Sequence, residues 1–146
     1  MLSTEILSYE PGDFNEISEF WNKLGLGGAE RGDDEKVIER TLKYGGAFFV
    51  MRMGSQLIGT AWITSDHRRL YLHHMGIDSE YQNLGLGYKL LEHCIQWSEN
   101  QGLQLKLEVH QSNKEAVHLY KKAGFKRLGD YDVYIIRDYK QLPAKK

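Results

Sequence analysis

A glycine-spaced turn set between two apolar runs constrains this chain more than any other stretch. Leu70 to Ile77 is rich in strand formers, and Tyr88 to Asn100 is strongly amphipathic. Between them Gln82-Asn83-Leu84-Gly85-Leu86-Gly87 spells Gln-x-x-Gly-x-Gly, a turn that opens a helix. Glycine lets a backbone approach a ligand with no Cβ in the way. The first amides of a helix lack internal partners, and the helix dipole adds positive potential there. Together these features suit a phosphate or pyrophosphate. Two common phosphate loops do not fit. The Walker loop needs a hydroxyl after its lysine, and Lys89 is followed by Leu90. The dinucleotide fingerprint needs a third glycine where Leu90 stands.

The rest of the chain reads outward from this turn. Glu5 to Glu10 is a candidate strand ended by Pro11-Gly12. Asp13 and Glu16 have the spacing of a capping box, and Phe14, Ile17, Phe20, Trp21 and Leu24 share the face of the helix that follows. Gly25 to Gly32 is a loop with four glycines, and a second helix is expected from about Asp33 to Tyr44. Ala47–Met53, Gln56–Thr64 and Arg69–Ile77 read as a three-strand meander, turning at Gly54-Ser55 and at Ser65-Asp66-His67. The central helix, Gly87 to Asn100, stops at Gly102. Leu103, Leu105, Leu107 and Val109 alternate with polar residues as in a strand. Ser112 to Glu115 has the capping-box pattern of one more helix, and two closing strands are expected at Lys126–Leu128 and Tyr131–Tyr139. Leu142 to Lys146 reads as a loose polar tail.

This order implies an α/β fold with a mixed sheet and one domain over residues 1–146. With 41% hydrophobic residues the chain can bury a full core, and a net charge of −1 argues against nucleic-acid or anionic-membrane partners. The lone Cys94 suits a reducing compartment, and no run has the length of a membrane span, so the expected setting is cytoplasmic. No metal is expected, and monomer and homodimer both stay open.

A second motif makes the reading specific. Asn113-Lys114-Glu115-Ala116-Val117-His118-Leu119-Tyr120-Lys121-Lys122-Ala123-Gly124-Phe125 fills every fixed position of Asn-x-x-Ala-x-x-Leu-Tyr-x-x-x-Gly-Phe. With the Gln-x-x-Gly-x-Gly turn, it resembles the Gcn5-related N-acetyltransferases, across residues 5 to 139. The resemblance implies their acyl-CoA N-acyltransferase fold, a mostly antiparallel mixed sheet flanked by helices, with acetyl-CoA as acyl donor and an amine as acceptor. It implies that Met75, Gly76 and Ile77 offer backbone groups to the pantetheine arm. Gln82, Asn83, Gly85, Leu86, Gly87 and Tyr88 would surround the pyrophosphate, Asn113 would touch the pantetheine, and Tyr120 would reach the thioester sulfur. Asn83 stands where the family often has glycine and Ser79 where it often has proline; neither change removes an amide donor.

The reaction sets further needs. An ammonium of pKa about 10 is neutral only roughly one part in a thousand near pH 7, so a base must take its proton. The departing thiolate needs an acid, the role implied for Tyr120, whose helical spacing also suits a core aromatic. The histone-acetylating branch carries a glutamate where Tyr71 stands, so that mechanism is not implied. The segment from Glu108 to Tyr120 instead resembles the ribosomal-protein alanine N-acetyltransferases, where this Glu and Tyr pair is base and acid. Glu108 equally suits a solvated strand-end carboxylate. His73 is a further candidate, as base or as acceptor contact. The first two helices and their loop cover the acceptor in this fold, so Leu26 to Asp34 should matter, with Arg31, Asp33 and Asp34 as candidates to select charge, although charges near a helix start equally suit caps and solubility. Peptide N-terminus, lysine side chain and small amine stay open. Two other classes compete: an acyl-CoA sensor that keeps the cradle without transfer, and an interaction protein with no cofactor.

Overall fold

A computed structural model describes residues 3–28 and 31–144. Ala29, Glu30 and the last two lysines of the tail lie outside the described residues. Strand β1 (Thr4–Ser8) leads to helices α1 (Phe14–Leu24) and α2 (Glu35–Lys43). The meander β2 (Ala47–Met53), β3 (Gln56–Ser65) and β4 (Leu70–Ile77) follows. Helix α3 (Leu86–Gln101), strand β5 (Leu105–Leu107) and helix α4 (Lys114–Lys122) complete the regular elements. The strands lie in the order β1-β2-β3-β4-β5, antiparallel except for the parallel β4–β5 pair. The mixed, mostly antiparallel sheet expected from the sequence is therefore present.

Strand alternation divides the core between the two faces of the sheet. Phe48, Val50 and Trp62 pack with Ile17, Phe20 and Trp21 of α1 and Ile38 of α2. Phe49, Met51, Ile58 and Ile63 face Leu90, Leu91 and Cys94 of α3. Trp21 and Trp62 stack with ring centroids 5.9 Å apart, and Phe48 leans on both. Fully burying side chains of this size contributes about 1.5–3 kcal/mol each, which fixes α1 on the sheet. The Gly102 terminus of α3 has the left-handed backbone (φ 74°) expected of a glycine stop.

Three local expectations are corrected. Asp13 does not form a capping box with Glu16. Its carboxylate accepts from the Glu10 amide (2.9 Å), and Asp13 and Glu16 both grip Arg52, at 3.1 and 2.8 Å. The long Arg52 side chain, rising from β2, offers stronger charge-assisted bonds than a helix amide does. The cap of α4 is Asn113, whose side chain accepts from the Ala116 amide at 3.2 Å, while Ser112 is 2.7 Å from His110 Nδ1. Finally, residues 126–138 form no strands, although the expected turn at Gly129-Asp130 is present, Asp130 having φ 71°. Tyr131, Val133, Tyr134 and Ile135 are 66–90% exposed. Strand propensity expresses a fit to a neighbouring pleated surface, and this segment pairs with none of the five strands.

Candidate active site

β4 and β5 stay paired for only three positions, Leu70 to Leu72 against Leu105 to Leu107. Beyond them the chains part, and a cavity of about 420 Å³ opens between β4, the Glu108–His110 segment and α4. His73 and Met75 line it from one side, Glu108 from the other, and Asn113 and Tyr120 from α4. These five expected site residues are thus brought together. Leu26, from the loop after α1, reaches the same cavity. Arg31 is exposed and is not on its wall.

A bulge shapes the β4 wall. Thr60 faces Gly76 and Trp62 faces His73, so Ala61 alone opposes both His74 and Met75. His74 takes φ 46° there. In an unbroken strand His73 and Met75 would share a face and His74 would point away. With the bulge, all three line the cavity. His74 and Tyr71 are wall residues that sequence reasoning did not assign to the site. The paired histidines were visible, but the bulge that turns both inward was not.

The electrostatics are uneven. Surrounding protein pushes the His73 imidazole below its usual pKa, and the neighbouring His74 adds to this. Its Nε2 is 2.8 Å from the Thr64 hydroxyl. The ring still opens to solvent, which moderates the size of that effect but not its direction. Burial pushes the Tyr120 phenol up, so it holds its proton throughout the neutral range. Its ring packs against Phe125 with centroids 5.7 Å apart.

The glycine turn lies at the start of α3, following β4 and a short turn at Ser79–Tyr81. Asp78 fixes that turn by accepting from the Glu80 amide (2.9 Å) and from Lys23 (3.1 Å). These bonds, the amide first, hold its carboxyl below the usual range. The Gln82 side-chain amide donates to the Ile77 carbonyl at 2.9 Å. Asn83 (φ 63°) and Gly85 (φ 79°) both adopt left-handed backbone, which asparagine tolerates better than most residues. The leading amides of α3, at Leu86, Gly87 and Tyr88, precede the first intrahelical bond, Lys89 N–H to the Gly85 carbonyl (3.1 Å). A Cβ on Gly85 would meet nothing within 4 Å, so open space lies over this turn. Lys122 of α4, which the sequence did not single out, stands 4.9 Å from the Tyr88 ring centroid and adds a cation beside it. The turn fits an anionic diphosphate, and the cavity that opens beside β4 is lined by polar and apolar side chains alike. Among the described residues no group of three or more His, Cys, Asp or Glu could hold a metal.

Comparison with known proteins finds acetyltransferases. A family model described as Acetyltransferase (GNAT) family matches residues 14–125. The [ribosomal protein bS18]-alanine N-acetyltransferase of Escherichia coli K12 is 46% identical over 55 residues, 37% of this chain and 37% of that protein. The N-alpha-acetyltransferase RimI of Mycobacterium tuberculosis is 34% identical over 82 residues, 53% of this chain and 51% of that protein. The chain thus spans about half or less of the length of these curated relatives. A solved GNAT-family acetyltransferase from Streptococcus pneumoniae superposes with a TM-score of 0.75 at 28% identity, covering 87% of each chain.

Proposed function

The chain belongs to the acetyltransferase (GNAT) family, and from that premise we propose that it moves an acetyl group from acetyl-CoA to a primary amine. The observation that carries this reading is the union of an open anion turn at the start of α3 with a cavity that gathers Glu108, Asn113 and Tyr120. We read the whole of 1–146 as one catalytic domain.

Acetyl-CoA supplies a thioester, an acyl group on a thiol leaving group. The main-chain amides of Leu86, Gly87 and Tyr88, with Gln82 and Asn83 shaping the turn, are assigned to its diphosphate. Backbone groups of Met75, Gly76 and Ile77, which lie beyond the last β4–β5 pair, are assigned to its pantetheine arm, although the Ile77 carbonyl already accepts from Gln82. The Asn113 oxygen is committed to capping α4, which leaves its side-chain NH₂ to donate toward that arm. Tyr120 keeps a proton on its phenol oxygen for the departing sulfur, and its raised pKa keeps that donor loaded. Glu108 takes a proton from the acceptor nitrogen, alone or with the neutral imidazole of His73. Leu26 reaches the cavity, and Arg31 and Asp33, which do not line it, are assigned to selecting the acceptor's charge as it approaches.

The acceptor class best supported is a peptide N-terminus, on the likeness to the alanine N-acetyltransferase over 55 residues. Cys94, buried and with its thiol pushed up to about 12, suits a reducing cytoplasm in which no disulfide is made. The net charge of −1 supports a small acceptor or peptide over nucleic acid. A thiol-release assay with acetyl-CoA over N-terminal peptides, lysine and small amines tests the reading. Turnover with at least one amine is expected. Acetyl-CoA binding without release toward any amine would make the chain an acyl-CoA binder, and absence of binding would refute both.

A further inference from the structure

The bulge of β4 carries an imidazole that the chemistry above leaves unused. His74 holds φ 46°, a left-handed backbone that costs about 1–2 kcal/mol for a residue with a Cβ. Such strain persists only where the surroundings over-determine it. Here they do. The His74 carbonyl accepts the Thr60 hydroxyl at 2.8 Å, and the same oxygen of Thr60 accepts the Trp21 indole N–H at 3.1 Å. The His74 ring lies with its centroid 4.7 Å from Trp21 and 5.6 Å from Trp62.

The ring is also fixed chemically. Its Nε2 is 2.8 Å from Asp33 Oδ2. In the neutral ring a carboxylate there places the proton on Nε2, which donates, and leaves Nδ1 with a free lone pair. Among the described residues no hydrogen bond is made to Nδ1, and His74 lines the cavity. Gly27 presses against the pair so closely that a Cβ would stand 2.9 Å from both Asp33 Oδ2 and His74 Nε2. Only glycine leaves the bond intact at that position. The loop after α1, the bulge of β4 and the carboxylate ahead of α2 therefore converge on one nitrogen.

We propose that Asp33 and His74 form the acceptor-orienting site, with His74 Nδ1 accepting a hydrogen bond from the N–H of a primary amine in the cavity. Asp33 acts through the ring as a positioning residue and adds negative potential, so the site selects amines and ammonium groups over anionic acceptors. This rests on the transfer reading only in taking the amine as the second substrate.

The test uses the full chain with ¹⁵N-labelled histidine rings, saturated with coenzyme A and titrated with alaninamide, with acetate as the anionic control. The His74 signals are those missing from the His74→Gln spectrum. The His74 Nδ1 resonance should move with alaninamide and stay still with acetate. In steady-state assays His74→Gln, whose amide still donates toward Asp33, should raise the KM for alaninamide or an Ala-initiated peptide at least tenfold. Its KM for acetyl-CoA should be unchanged, and Asp33→Asn should give a smaller rise of the same kind. An unmoved Nδ1 at saturating alaninamide would overturn the proposal, as would a His74→Gln protein with the parent's acceptor KM. Failure of the transfer reading shows differently: the parent releases no thiol, while the ring nitrogen still reports amine binding.

Discussion

Gly85 permits a test in which backbone strain and ligand contact separate. Its φ of 79° is left-handed, and an added Cβ would meet no atom within 4 Å. Gly54, in the β2–β3 hairpin and on no wall of the site, has φ 60° and the same empty surroundings. Gly85→Ala and Gly54→Ala therefore carry the same conformational cost, about 1–2 kcal/mol each. For a domain of this size that corresponds to a fall in Tm of about 2–8 °C in both. The variants should diverge in calorimetry with acetyl-CoA. Gly54→Ala leaves the Kd within twofold of the parent. Gly85→Ala sets a methyl in the space assigned to the diphosphate, and its Kd should rise more than tenfold, about 1.4 kcal/mol. Equal affinities in the two variants would place the ligand elsewhere. At Gly87 a Cβ would stand at ordinary distances, 3.5 Å from Leu119 and 3.7 Å from Ile77, so Gly87→Val adds crowding to any loss of binding and is the less clean probe.

Tyr120→Phe keeps the ring against Phe125 and removes the proton donor, so acetyl-CoA affinity should persist while kcat falls about 10²–10⁴-fold; stopped-assay turnover beside calorimetry checks both halves. Glu108→Gln should lose most activity at low pH, where the amine is protonated, and recover as pH rises. A pH-independent deficit, read from the pH–rate profile, would move the base role to His73. Asp78 is 4% exposed and its carboxyl pKa is depressed, mainly by the Glu80 amide. Its stabilising contribution is therefore present above the unfolded carboxylate pKa of about 3.9 and is lost as pH falls through the folded value. Asp78→Asn should cost about 1.5–3 kcal/mol in urea unfolding at pH 7. Because Lys23 is 57% exposed, most of that loss belongs to the amide bond. The difference should shrink as pH falls through the folded carboxyl's pKa; a gap that does not change with acidification would assign the loss to packing.

Much of this was legible in local sequence. The glycine turn, the Gly102 stop and the meander are set by residues close together in the chain, and the turn's left-handed positions fell on Gly85 and on Asn83. Asn113 and Tyr120 were picked out by the second motif and Glu108 by the likeness of the segment from Glu108 to Tyr120, and all three line the cavity. What was missed is non-local. His74 enters the cavity only because Ala61 of a different strand faces two residues, and no pattern within β4 announces that. Arg52 drew Asp13 away from its expected cap across 39 positions. The segment after Gly129 is rich in strand formers, but propensity alone does not bring it onto a neighbouring strand.

The three-position ladder between β4 and β5 divides the molecule by strength. Seven register pairs join β2 to β3, over two packed faces, whereas β5 is joined to its single neighbour by three, and α4 contains no fully buried residue. Opening free energies follow such differences, so β5 and α4 detach at lower cost than the meander does. Amide hydrogens of Phe49, Val50 and Ile63 should exchange with solvent only through global unfolding, and that of Lys106 far sooner. Asn113 and Tyr120 travel with the weaker part. On warming, the proposed transfer activity should accordingly disappear several degrees before the circular dichroism of the sheet does, the site being lost while most of the fold still stands.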